Sequence, residues 1–197
     1  MGVSVQHHPV GITWHESDAM ARAAHAVRDG ETVWLIDPFE DPAALEAAAA
    51  LGQPAGVIQL LDRHQRDGET IANRLGVPLM RLPKALPGTP FEVVSIVARP
   101  WWREIALWWP EQRTLIVAEA IGTGPLFGLG RRAGVHPMLR AVPPRSSLGR
   151  YSPERLLVGH GPALDADAAP ALSQALSSSR SDIPKLLTTL PSVIRGR

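Results

Sequence analysis

The stretch GVIQLLDRHQRDGETIANRLGVPL, residues 56–79, decides the fold. Gly56 to Leu61 form a short, nearly continuous apolar run, the pattern of a strand buried on both faces. A polar turn, DRHQRD, follows at 62–67, and a helical stretch then runs to Leu75. Gly76 ends it, because glycine takes the left-handed conformation that closes a helix without steric cost. Val77 to Leu82 reads as the next strand. A strand, a charged loop, a helix and a second strand make an α/β unit, and the loop brings Asp62, His64, Arg66 and Asp67 to the end of a buried strand.

Upstream, residues 3–6 and 11–15 alternate as short strands, and Ala23 to Arg28 and Thr32 to Ile36 flank the turn signal Asp29-Gly30. Asp37-Pro38 stops the second of these. Pro42 to Leu51 is an alanine-rich helix with Asp41 as N-cap and Gly52 beyond its end. Downstream, Phe91 to Ala98, Glu104 to Trp109 and Thr114 to Ala118 read as strands, the last two joined by the turn 110–113. Residues 121–153 are rich in Gly, Pro and Arg and read as a long loop with one helical turn, a length that is usually functional or mobile. Arg155 to Val158 is a strand that ends in Gly159-His160-Gly161-Pro162, and helices are expected at 165–178 and 183–190. No linker or repeat divides the 197 residues, so one domain over 1–197 is expected.

Composition narrows the chemistry. With no cysteine, disulfide and thiolate chemistry are excluded, and metal ligands can only be His or carboxylates. No apolar run approaches a membrane span and no charged-then-apolar start marks a signal peptide, so the cytoplasm is the expected compartment and no membrane partner is expected. Net charge is +1 but uneven: residues 1–70 carry 11 acids against 4 bases, and 71–197 carry 16 bases against 8 acids. Arg131, Arg132, Arg140, Arg145, Arg150 and Arg155 gather in one stretch that can receive an anion or remain a solvated loop; nucleic acid is not the expected partner.

G-x-S-x-G, Walker A and H-E-x-x-H are all absent, and Gly122-Thr123-Gly124 is followed by Pro125, which spoils a dinucleotide loop. What remains is a set of polar residues just after predicted strands: Asp62, His64 and Asp67 after 56–61, Glu119 after 114–118, and His160 after 155–158. Loops leaving strand ends commonly build sites, and His with carboxylates from three strand ends can surround one divalent cation. His7, His8, His15 and His25 are read as surface or core; the four tryptophans 101, 102, 108 and 109 can line a pocket or fill the core.

The order GETVWLIDP (30–38), the stretch 56–79, REIALWWPEQRTLIVAEAIG (103–122) and LLVGHGPAL (156–164) resembles the successive blocks of the metallo-β-lactamase superfamily over roughly residues 23–178. The resemblance implies an αββα sandwich and a metal-dependent hydrolase, but the ligands depart from it. On the family's H-x-H-x-D-H block, Asp62 stands for the first His, His64 for the second, Arg66 for the Asp and Asp67 for the third His. Trp102 occupies the place of a later His, Glu119 replaces the bridging Asp, and His160 matches the final His. The resemblance therefore implies a remodelled, at most mononuclear site, because Arg66 puts a fixed cation where a second ion would sit and Trp102 removes an imidazole.

The expected metal set is His64, Asp67, Glu119 and His160, holding one zinc, manganese or iron ion, with Asp62 or Asp67 as general base and Arg66, Trp102 and His136 facing a small molecule of unknown identity, with an anion as one candidate. The alternative is a non-catalytic descendant with no metal that binds a small molecule or protein, its site closed by Arg66 paired to Asp62, Asp67 or Glu119.

Overall fold

The computed structural model describes residues 2–188, and alternation along its strands explains its layers. One mixed sheet has the order β1 (Val3–His8), β2 (Gly11–Glu16), β3 (Ala23–Asp29), β4 (Thr32–Ile36), β5 (Gln53–Gln59) and β6 (Leu79–Arg81). Its first four strands are antiparallel. The β4–β5 and β5–β6 pairs are parallel, with α1 (Pro42–Ala49) and α2 (Gly68–Leu75) as the crossovers. The second sheet runs β12 (Arg155–Val158), β9 (Thr114–Val117), β8 (Trp102–Trp109) and β7 (Glu92–Arg99), with β12 parallel to β9.

Three apolar layers follow from the two-residue period of a strand. On β9, Ile116 points between the sheets with Leu157, Ile58, Ile36 and Trp109, while Leu115 and Val117 point outward to Leu172 and Leu176 of α5 (Ala168–Ser178). On the first sheet, Ile12, Trp14, Val33 and Leu35 turn the other way, onto Ala44 and Ala48 of α1 and Ile71 of α2. Helices outside two facing sheets make the expected αββα sandwich.

The expected long loop is more ordered than its composition suggests. It holds β10 (Ile121–Gly122) paired with β11 (Gly134–Val135), the short α3 (Pro125–Gly128) and α4 (Arg145–Leu148), and a 3-10 turn at Pro137–Leu139. Buried Arg140 donates to the Phe127 carbonyl at 2.6 Å, and Arg131 grips Asp182 with two bonds at 3.0 and 3.2 Å. All six arginines of the basic stretch have internal partners: Arg132 pairs with Asp167, Arg145 donates to the Leu176 and Ser177 carbonyls, Arg150 bonds Tyr151, and Arg155 bonds the Gln112 carbonyl. Of the last expected helix, residues 183–188 are helical, and 189–190 lie outside the described residues.

The two sheets are stitched together at one end. Ile105 and Asp62 exchange backbone bonds with Leu60 and Arg103, and Ala23 donates to the Gly159 carbonyl. Arg66 closes the same end. Its guanidinium donates to the carbonyls of Ala23, Asp37 (2.8 Å) and Gly159 (3.2 Å), which stand at the start of β3 and just past the ends of β4 and β12. This corrects the expectation that Arg66 pairs with Asp62, Asp67 or Glu119. Its own backbone sits in the left-handed region at φ 41°, which aims the side chain inward at main chain rather than at carboxylates. Replacing Arg66 with alanine removes a buried donor from three carbonyls, of which Gly159 keeps the Ala23 N–H, so urea unfolding should show a loss of about 1 to 3 kcal/mol, with lysine recovering only part of it because one ammonium spans fewer carbonyls.

Candidate metal centre

His64 is placed by Asp37. The strand β4 ends at Asp37 in the left-handed region (φ 45°), a conformation that Asp tolerates better than most residues. One carboxylate oxygen of Asp37 accepts the Leu60 N–H at 2.9 Å and the other meets His64 Nδ1 at 2.8 Å. Nδ1 is therefore the protonated nitrogen of His64, and Nε2 faces the interior of the site. His160 is set the same way by a different acceptor: its Nδ1 donates to the Met20 carbonyl at 2.8 Å. Its Nε2 is buried and has no hydrogen-bond partner. The flanking glycines make this placement feasible. A Cβ on Gly159 would lie 2.2 Å from the Ala118 oxygen and 3.0 Å from His64 Cε1, and Gly161 sits at φ +108°.

Glu119, just after β9, completes the group. Its Oε1 lies 3.6 Å from His160 Nε2 and 3.8 Å from His64 Nε2, and ligand atoms of the three residues all fall within 4.8 Å of one another. Two imidazole lone pairs and a carboxylate oxygen thus aim at one point. Such a group repels itself unless a cation or a proton on each ring sits between them. Burial alone would raise the pKa of Glu119, but with a proton on each Nε2, in place of a cation, His160 and His64 join Arg63 in outweighing it and hold the carboxyl well below the usual carboxylate range.

The supporting shell is Arg63, Trp102 and Glu104. Arg63 donates to Glu119 Oε2 at 2.7 Å and lies 4.3 Å over the Trp102 ring. The Trp102 indole donates to Glu104 at 2.9 Å. The other oxygen of Glu104 accepts the backbone N–H groups of Glu119 and Ala120, both at 2.8 Å. Arg66 Nη2 approaches His64 Nε2 to 3.5 Å; burial lowers its pKa from the usual arginine value and Asp37 opposes that shift.

Of the residues expected here, the structure brings together His64, Glu119 and His160. Asp67 is turned away: after the left-handed Arg66 the chain enters α2, and Asp67 accepts the Glu40 N–H at 2.8 Å. Asp62 accepts the Arg103 N–H at 2.9 Å and likewise lies outside the three-residue group. Trp102 is fully buried and forms a wall under Arg63 rather than a surface for a ligand. His136 stands at the mouth, 4.0 Å from Glu119, with its ring edge-on to Trp102. Burial draws its pKa down to about 4, and its Nδ1 accepts the Met138 N–H, so at neutral pH it presents an Nε2–H. Sequence reasoning did not assign roles to Arg63, Glu104 or Asp37. Only Asp37 left a signal, an acid followed by proline at a strand end.

Comparison with solved structures identifies the fold. A DIM-1 metallo-β-lactamase exposed to ceftazidime matches at TM-score 0.62 and 12% identity, covering 90% of this chain and 97% of that one. A metallo-β-lactamase from Pontibacter korlensis matches at 0.61 and 15% identity, over 93% and 99%, and one from Erythrobacter litoralis at 0.57 and 11%, over 91% and 92%. No family model and no curated protein matches by sequence. The chain has the metallo-β-lactamase fold.

Glu104 is buried, and desolvation pushes its pKa up to about 7 against the three hydrogen bonds it accepts. A carboxyl raised in the folded state favours folding below its unfolded value of 4.5, and that contribution is lost as pH rises through about 7. In chelator-treated protein, Glu104→Gln should remove a stability change on the order of 3 kcal/mol across that window, measured by urea unfolding at several pH values.

Proposed function

We propose that this chain is a hydrolase-like protein of the metallo-β-lactamase fold with a remodelled, at most mononuclear metal site formed by His64, Glu119 and His160. The observation that carries this reading is the buried, unpartnered Nε2 of His160 aimed with His64 Nε2 at a deprotonated Glu119. The donor set fits one divalent ion: two imidazoles whose other nitrogens are fixed by Asp37 and a main-chain carbonyl, and one carboxylate. The metallo-enzymes among the structural neighbours favour the same reading.

When bound, such an ion would polarise a carbonyl or phosphoryl oxygen and make a bound water acidic. The protein's own residues do the rest. Glu119 supplies the negative charge, and Glu104 holds its backbone in place. Arg63 balances that charge and leaves N–H groups at the exposed side, while His136 keeps an Nε2–H that can donate to a substrate oxygen. The expected role of Asp62 or Asp67 as general base finds no support in the geometry, since each accepts a backbone N–H away from the group.

One observation favours a second reading, a non-catalytic binding module without metal. Arg63 on Glu119 and Arg66 beside His64 are two built-in cations that compete with a dication. Elemental analysis of protein purified without chelator, followed by calorimetric titration of the stripped protein with zinc and manganese, separates the two. The proposal expects one ion per chain, lost in His160→Ala and weakened about 10- to 100-fold in Asp37→Asn. No binding at millimolar metal supports the non-catalytic reading, and two ions per chain contradict both.

A further inference from the structure

We infer that the cleft between the edge strand β7 and the segment 137–147 binds an amphiphilic monoanion, an organic acid with an apolar acyl or aryl body. The claim that such a molecule is a substrate rests on the hydrolase reading above; the binding itself does not.

Trp101, Met138 and Val142 are 60%, 65% and 75% exposed, and they account for three of the five exposed large hydrophobic residues among those described. All three line one cleft of about 530 Å³, together with Ile96, Val97 and Pro143. Scattered exposed hydrophobics are ordinary, but several gathered in one concave surface mark a ligand site. Trp and Met suit an apolar guest of variable shape, one as a rigid face and the other as an adaptable side chain.

Charge sets the other half of the ligand. No acid lines the cleft, and its one cation is Arg99. Arg99 is exposed and has no ion pair or side-chain hydrogen bond among the described residues, whereas the arginines of the 131–155 stretch all have internal partners. An unpaired guanidinium on an otherwise apolar wall recognises a carboxylate or a similar anion.

The cleft also adjoins the metal centre on both walls. The Trp101 carbonyl receives Arg63 at 3.4 Å, and Trp101 adjoins Trp102 in the chain and packs edge-on against it. On the opposite wall the Met138 N–H bonds His136. Arg99 pairs in register with Trp102, so the anion-binding end of the cleft lies beside the wall of that group and the apolar lining continues along β7.

Calorimetric titration with 4-phenylbutyrate, acetate and 4-phenylbutanol, in the presence and absence of chelator, tests the inference. Phenylbutyrate should bind at least tenfold tighter than either acetate, which lacks the apolar body, or phenylbutanol, which lacks the charge. Arg99→Gln should weaken phenylbutyrate about tenfold and leave phenylbutanol unchanged. Trp101→Ser should weaken both. Both residues are exposed, so unchanged melting temperatures confirm intact variants. Phenylbutyrate binding no tighter than acetate, or variants that bind as the parent does, would overturn the cleft even in protein that carries its metal. Binding that depends on Arg99 and Trp101 in protein that takes up no metal would uphold the cleft and remove the hydrolase reading.

Discussion

Three main-chain carbonyls converge on one guanidinium, and the site's shape depends on that. Ala23, Asp37 and Gly159 belong to the ends of three strands from two sheets, and Arg66 satisfies all three. Buried carbonyls short of a donor are costly, and an enclosed cation without acceptors is costlier, so each side supports the other, with the Gly159 carbonyl also taking the Ala23 N–H. The bond to Asp37 fixes the residue whose carboxylate orients His64, and the bond to Gly159 fixes the residue before His160. A residue that the family pattern would reserve for metal chemistry here holds the histidines at their separation.

Charge at this end of the sandwich is close to balanced. Asp37 and Glu119 carry two negative charges, and Arg63 and Arg66 carry two positive ones. With Glu104 partly ionised near neutral pH, any divalent ion here would have to be held by ligand geometry rather than by a large excess of negative charge. A second cation there would meet two fixed guanidiniums, with the fully buried Trp102 ring packed under Arg63. The same arrangement explains the low pKa of Glu119: with a proton on each Nε2, His160 and His64 act with Arg63 to overcome its burial.

The layers were legible in the sequence because strand periodicity and glycine stops act locally. The runs at 56–61, 114–118 and 155–158 became β5, β9 and β12 with shifted ends, and Glu119 and His160 stand just past their strands as spacing implied. The errors came from backbone conformations that a pattern does not encode. A left-handed Arg66 sends Asp67 to the Glu40 amide and points its own guanidinium at carbonyls instead of carboxylates. Arg63, which carries the ion pair with Glu119, sits in the same charged run as Arg66, and only the three-dimensional turn distinguishes their roles. The Arg-rich stretch could not be read as satisfied or free, since its partners, such as Asp167, Asp182 and the carbonyls at the end of α5, lie up to about fifty residues away.

Everything proposed for the site turns on whether the two Nε2 atoms and Glu119 enclose a metal ion or merely share protons. Crystals soaked in manganese or zinc and measured at the absorption edge of that metal test this directly. One anomalous peak per chain is expected, at ligand distance from His64 Nε2, His160 Nε2 and a Glu119 oxygen, with Arg66 still on its three carbonyls. No peak at that position, or a second peak beside Arg63 or Arg66, would contradict it.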